Sequence, residues 1–297
     1  MSNLELTKIL HRIAELLEKF YPTPETRVDF TKARAFIWNA EQKRFTPVDK
    51  VNCIPIELLK GINQSRDQLV VNTRQFARGF PANNALLWGA RGTGKSSLVK
   101  SVHSKIYKEI NKLILIEVHR EDISSLTYFL PILRDNQDFR FILFCDDLSF
   151  DTGDDTYKSL KALLDGGIEG CPENVLFYAT SNRRHLLPRH ITENSMTREI
   201  NTGESAEEKI SLSDRFGLWL GFHNCDQETY FEIIDAYAEE FDLKMDLHQL
   251  HAEALEWSAA RGARDCKEGA PTAALPTVCC GCNAKGPPTS IGRVYRA

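Results

Sequence analysis

Ala85-Leu86-Leu87-Trp88-Gly89-Ala90-Arg91-Gly92-Thr93-Gly94-Lys95-Ser96 is the stretch from which the rest of the chain is read. A short apolar run enters a glycine-rich turn, and the helix-like segment Ser97 to Ile110 leaves it. Gly89 to Ser96 fits G-x-x-x-x-G-K-S, a phosphate-binding loop, in the strand-before, helix-after setting that the motif needs. Its glycines let backbone N–H groups curl round phosphate oxygens at the positive end of a helix. Gly89, Ala90, Arg91, Gly92, Thr93, Gly94, Lys95, Ser96 and Ser97 are therefore the expected nucleotide-binding residues. Lys95 is expected to reach the β- and γ-phosphates of ATP, and Ser96 to offer its hydroxyl to Mg²⁺. An ordinary glycine turn is the competing explanation, and the flanking strand and helix weigh against it.

Working outward, Leu113 to Val118, Phe139 to Cys145, Val175 to Ala179 and Phe216 to Phe222 are further short apolar runs, mostly separated by helix-like segments. Buried strands alternating with helices imply an α/β fold, a parallel sheet covered on both faces. Asp226 to Phe241 and Leu247 to Arg261 then read as two helices with no strand between them, a small helical lid. Upstream, Leu58 to Phe80 reads as one helix closed by Gly79 and Pro81. Ala35 to Val48 suggests a hairpin or extended arm, and Leu4, Ile9, Ile13, Leu16, Leu17 and Phe20 line an opening amphipathic helix that Pro22 and Pro24 end. The expected division is 1–53 amino-terminal helix and arm, 54–224 nucleotide-binding core, 225–264 lid and 265–297 irregular tail.

Two acids end the apolar run Phe141-Ile142-Leu143-Phe144-Cys145-Asp146-Asp147, the Walker B pattern, on a strand expected to lie beside the P-loop strand. Asp146 is the expected Mg²⁺ residue, and Asp147 the one that orients or deprotonates an attacking water; a solvated turn is the plainer alternative. Asn182 ends the next strand, Val175 to Asn182, at a position expected to sense the γ-phosphate, although asparagine at a strand end is ordinarily a turn former. Ser213-Asp214-Arg215-Phe216 precedes the last core strand, where an arginine can reach the nucleotide of a neighbouring subunit. Arg215 is thus the expected arginine finger, a surface ion pair with Asp214 or Glu208 being its alternative. Arg183, Arg184, His185, Arg189 and His190 form a basic run that reads more readily as a solvated loop or subunit contact than as a nucleic-acid site; His119-Arg120-Glu121-Asp122 has no assigned partner.

With 297 residues, 42% of them apolar, the chain can bury a sizeable core. A net charge of -4 gives no global attraction to nucleic acid or anionic membrane. No apolar run approaches the roughly eighteen residues of a membrane span, and the opening segment, interrupted by Glu5, Glu15 and Glu18, lacks the core of a signal peptide. A cytoplasmic protein without membrane contact is expected. Cys53, Cys145, Cys171 and Cys225 are scattered singly, whereas Cys266, Cys279, Cys280 and Cys282 crowd the tail.

In combination, the stretches Ala82 to Lys100, Phe144 to Phe150, Tyr178 to Leu186 and Ser211 to Leu218 resemble the bacterial AAA+ family named domain of unknown function 815, over roughly Ile54 to Arg264. The resemblance implies an AAA+ core with a five-stranded parallel sheet, a helical lid, and ATP hydrolysis with Mg²⁺. It also implies an arginine at the start of a further lid helix acting on the nucleotide; Arg264, with Arg261, stands where that residue is expected. Two departures stand out. Asp147 occupies a position where many AAA+ ATPases carry glutamate, which predicts slow turnover. The sequence after Asp265 has no helical periodicity and carries Pro271, Pro276, Pro287 and Pro288, so the lid is expected to be truncated, in keeping with a shifted reading frame near Asp265. A cysteine-rich metal-binding tail is the rival, weakened because Cys279 and Cys282 have no second C-x-x-C pair to match them and no nearby histidine.

The function these readings favour is an Mg-ATP-binding AAA+ protein that hydrolyses ATP to assemble or remodel a macromolecular client, protein or nucleic acid, as a homo-oligomer with Arg215 acting in trans. The alternative is a nucleotide-dependent binding or loading module with little turnover. A small-molecule kinase fits less well, for want of a substrate-pocket motif.

Overall fold

The computed structural model describes residues 12, 28–150, 156–165, 171–184, 186, 212, 214–223 and 225–265, with side chains of the last helix through Glu256. The opening amphipathic helix and the tail beyond Asp265 lie outside the described residues. Within them the strands are β1 (Ala35–Asn39), β2 (Arg44–Pro47), β3 (Ala85–Gly89), β4 (Leu113–Glu117), β5 (Arg140–Cys145), β6 (Val175–Ser181) and β7 (Leu218–Phe222). The α-helices are α1 (Asn63–Ala77), α2 (Lys95–Glu109), α3 (Leu126–Asp135), α4 (Thr156–Asp165), α5 (Gln227–Glu240) and α6 (Leu247–Asp265).

The strands form one sheet in the order β2-β1-β4-β5-β6-β3-β7, parallel throughout except where β1 turns back on β2. Two of its strands were not expected in it. The hairpin Ala35 to Pro47 is present as expected, but it is part of the sheet: β1 pairs in parallel with β4 through Ala35↔Leu115 and Phe36↔Ile116. The seven strands therefore exceed the five implied by the family resemblance. The hairpin stays with the sheet because its apolar side is buried. Phe36, Trp38 and Phe45 pack with Phe30, Phe129 and Phe141, and the Trp38 indole N–H donates to Ser125 Oγ at 2.7 Å.

Alternation along the strands divides the core in two. Leu86, Ile114, Ile116, Phe141, Leu143 and Phe177 face α3 and α4, which contribute Phe129, Leu133, Leu160 and Leu163. Leu87, Leu115, Ile142, Phe144 and Tyr178 face α1 and α2, which contribute Leu69, Phe76, Leu98, Val102 and Ile106. Each fully buried side chain of this size contributes roughly 1.5–3 kcal/mol, so the P-loop helix α2 is held mainly by its apolar face.

The single helix expected over Leu58 to Phe80 is instead a short 3-10 turn, Ile56–Leu58, followed by α1 from Asn63. Gly61 interrupts it with φ +72, a left-handed conformation favoured by glycine, and a Cβ there would lie 2.3 Å from Thr229 Cγ2 at the start of α5. The break lets the loop pass beneath the lid. The two lid helices expected from the pattern are α5 and α6, packed through Tyr230, whose hydroxyl donates to the Ala254 carbonyl at 3.0 Å. No helix among the described residues is long and apolar enough to cross a membrane.

Candidate nucleotide site

At Gly89 the chain leaves β3 with φ +147, and an added Cβ would stand 2.0 Å from the Phe222 carbonyl oxygen of β7. Only glycine allows that approach, which fixes where the loop begins. The loop then closes on itself through the Thr93 hydroxyl, which donates to the Ala90 carbonyl at 2.8 Å, and enters α2 at Lys95. Lys95 is 6% exposed. Its Nζ donates to the carbonyls of Gly89 (2.9 Å) and Ala90 (2.6 Å) and to Asn182 Oδ1 (3.2 Å). A buried ammonium needs such oxygens or an anion.

The two acids stand opposite. Ser96 Oγ donates to Asp146 Oδ1 at 2.5 Å, which joins the P-loop helix to the end of β5. Asp147 follows with φ 51. Its Oδ1 accepts from Asn182 Nδ2 at 2.5 Å and its Oδ2 lies 3.8 Å from Arg91 Nη2. The expected residues Lys95, Ser96, Asp146, Asp147, Asn182 and Arg91 are thus brought into one bonded cluster, with Gly92, Thr93, Gly94 and Ser97 along a cavity beside it.

One expectation about this arrangement needs correcting. The Walker B strand β5 does not lie beside the P-loop strand β3, because β6 is inserted between them, pairing with β3 through Leu86↔Ala179 and with β5 through Phe144↔Tyr178. The insertion has a chemical consequence: β6 delivers Asn182 and Thr180 into the space between phosphate loop and acids. Thr180, to which no role was given from sequence, accepts the Asp147 N–H on its Oγ1 at 2.9 Å and donates to Asp146 Oδ1 at 2.5 Å. The strand is seated by a buried polar group on its other face. Tyr178 OH bonds Asn72 Nδ2 at 3.0 Å and Thr73 Oγ1 at 2.9 Å, and burial pushes its pKa to about 12, so it remains a neutral hydroxyl. Cys145, next to Asp146, is likewise pushed to about 12, first by burial and then by the Asp146 carboxylate, which excludes a thiolate nucleophile there.

Arg215 stands apart in its bonding. Its Nε bonds Asp165 Oδ1 at the end of α4, a partner not expected from sequence; Glu208 lies outside the described residues. Arg264 falls in α6, but its side chain is outside the described residues. Of the basic run, Arg184 lies over the Trp88 ring, 5.1 Å from its centroid; His185, Arg189 and His190 are outside the described residues. Arg120 reaches the Ser149 carbonyl at 2.9 Å, which gives the His119 to Asp122 segment a structural anchor.

The residues suit a magnesium nucleotide. Ser96 and Asp146 offer the hard oxygen donors that Mg²⁺ takes, and Gly92, with φ +76 and open space where a Cβ would be, leaves room at the head of α2. Beyond Gly92 a cavity of about 370 Å³ runs under the lid, with apolar walls from Leu59, Ile62, Phe222, Ile233 and Tyr237. That combination of polar loop and apolar recess fits phosphates at one end and a flat base at the other.

A parallel sheet with an inserted strand between P-loop and acids, capped by two lid helices, defines an AAA+-type P-loop protein. Residues 31–269 match the family model described as "Protein of unknown function (DUF815)", and the chain belongs to that family. Among solved structures it is similar to a single-substitution variant of Thermotoga maritima RuvB at 18% identity and a TM-score of 0.47, over 68% of this chain and 58% of that one. It is also similar to a chain of the E. coli MS115-1 HORMA:CdnC:Trip13 complex at 11% identity and TM-score 0.46, over 67% of this chain and 75% of the other. A third is the Aeropyrum pernix ORC2 protein in its ADPNP-ADP complexes, at 13% and 0.41, over 59% and 51%. The chain therefore spans less than two thirds of the RuvB chain. No curated protein matches it.

Proposed function

We propose that the protein binds Mg-ATP and hydrolyses it, working as a homo-oligomer that assembles or remodels a macromolecular client. The observation that carries this reading is the bonded chain Lys95–Asn182–Asp147 set beside Ser96–Asp146 at the head of α2. Bound Mg-ATP supplies the transferable γ-phosphoryl group and the metal's counter-charge. Lys95 would turn from the Gly89 and Ala90 carbonyls toward the β- and γ-phosphates. Ser96 and Asp146 would hold the ion, Asp146 through water. Asp147 would orient a water and accept its proton, with Asn182 fixing that carboxylate and the γ-phosphate together. Such catalysis is mostly positioning and electrostatics. Arg215 would complete the site from a neighbouring subunit, exchanging Asp165 for phosphate oxygens, and Arg264 would approach from the lid.

Calorimetry with Mg-ATP, followed by steady-state phosphate release, tests the reading. Binding that Lys95→Ala weakens about 10- to 100-fold and phosphate release above the Lys95→Ala background are expected; equal affinity in the variant would refute the site. A second reading, a nucleotide-dependent loading module with little turnover, draws support from Asp147, which is one methylene shorter than glutamate and held by both Asn182 and Arg91. Phosphate release measured with and without nucleic-acid and protein polymers separates the two.

A further inference from the structure

The acid pair leaves β5 through a left-handed turn. Asp147 adopts φ 51, a region that residues with a Cβ enter uncommonly, although aspartate enters it more readily than most. Four bonds surround the turn, and Thr180 makes three of them. Its hydroxyl accepts the Asp147 N–H at 2.9 Å and donates to Asp146 Oδ1 at 2.5 Å, while its carbonyl accepts the Leu148 N–H at 2.7 Å. The fourth, Asp147 N–H to Asp146 Oδ1 at 3.2 Å, is long.

A threonine hydroxyl has one proton to donate and lone pairs to accept, and here both capacities are used at once on consecutive acids. Thr180 is 1% exposed, so water does not compete for either bond. The two bonds have different consequences. Donation to Oδ1 fixes the Asp146 carboxylate where Ser96 Oγ also meets it at 2.5 Å. Acceptance from the Asp147 amide holds the left-handed turn, and from that turn the Asp147 carboxylate reaches Asn182 Nδ2 at 2.5 Å. A side chain one methylene shorter than glutamate depends more on where its backbone points.

We propose that Thr180 is a positioning residue for both acids, its hydroxyl aiming Asp146 at the metal-side serine and setting the backbone turn from which the short Asp147 carboxylate reaches the sensor asparagine. The inference rests on the Mg-ATP reading above and adds a residue to it. In this role Thr180 acts through the two aspartates that it bonds.

The test uses the full chain and compares wild type with Thr180→Val, which keeps the shape and removes the hydroxyl, and Thr180→Ser, which keeps the hydroxyl. Groups that orient metal ligands commonly change metal affinity or activity by about 10- to 100-fold. Thr180→Val is expected to bind a fluorescent ATP analogue without Mg²⁺ as wild type does. Its Mg²⁺ half-saturation for analogue binding should rise, and its kcat should fall, by about tenfold or more, with KM little changed. Thr180→Ser should restore both. If the valine unfolds the sheet, Thr180→Ala makes the same comparison. Wild-type Mg²⁺ dependence in the valine or alanine variant, or failure of serine to restore it, overturns the proposal. Should wild type release no phosphate above the Lys95→Ala background, hydrolysis fails as a reading, yet the Mg²⁺ titration of analogue binding still decides the role of Thr180 either way.

Discussion

The acid-and-lysine cluster and the Arg215 segment are built in opposite ways. Lys95, Ser96, Asp146, Asp147, Thr180 and Asn182 come from three elements and are joined by bonds of 2.5 to 3.2 Å within one chain. Arg215, by contrast, is tied to Asp165 on the surface of its own subunit. On the proposed reading, groups that would serve the chain's own nucleotide are assembled in advance, whereas Arg215, which would serve a neighbour, is bonded to Asp165 of its own chain.

The severest challenge to that contrast is Arg215→Ala. It should keep ATP affinity and lose hydrolysis by about 10³- to 10⁵-fold, the range of arginine fingers elsewhere. Mixed with Lys95→Ala it should recover part of the activity, since some interfaces then join an intact lysine to an intact arginine. A monomer that hydrolyses at full rate would break the comparison.

Next in size is a pH effect behind the P-loop. His103 of α2 is 0% exposed, its Nε2 meets the Leu113 carbonyl at 3.0 Å, and burial lowers its pKa to about 4 from 6.5. Between those values the unfolded chain binds a proton that the folded chain refuses, so stability falls as pH drops from 6.5 toward 4 and is unaffected above. The full loss is about 3 kcal/mol. Urea unfolding at several pH values should show this slope, and His103→Leu should flatten it.

Lys95→Ala removes a charged contact to phosphate and should weaken Mg-ATP roughly 10- to 100-fold by calorimetry, from the about 1.5–3 kcal/mol of a charge-assisted bond. The smallest effect expected is that of Asp165→Asn. An exposed pair contributes about 0–1 kcal/mol, so thermal stability should barely move and hydrolysis should change only a few-fold. A loss as large as that of Arg215→Ala would mean that Asp165 does more than hold the arginine.

Local chemistry was legible in the sequence. The P-loop motif, the acids after β5 and Asn182 after β6 stand out by residue type and spacing, and the buried strands show as unbroken apolar runs. Spatial order was not. That β6 separates β3 from β5, and that Ala35 pairs with Leu115, are choices among distant strands that no local pattern records. Thr180 and Asp165 were missed for a related reason: each is an ordinary residue whose meaning comes from a partner 33 or 34, or 50, positions away. Asn84 carries no local signal of its own, yet its Oδ1 takes the Phe177 N–H at 2.8 Å and fastens β6 to the entry of β3.

The hairpin also governs how the molecule avoids its own kind. Strand β4 would otherwise offer a row of unpaired amides along Leu113 to Glu117, a template for adding foreign strands. The hairpin covers that row with β1, and β2 outside it is four residues long, begins with an arginine and ends at Pro47, which has no N–H to give. A chain trimmed to start at residue 54 would lose this guard, and its insolubility would arise from open strand pairing, with the nucleotide pocket still intact.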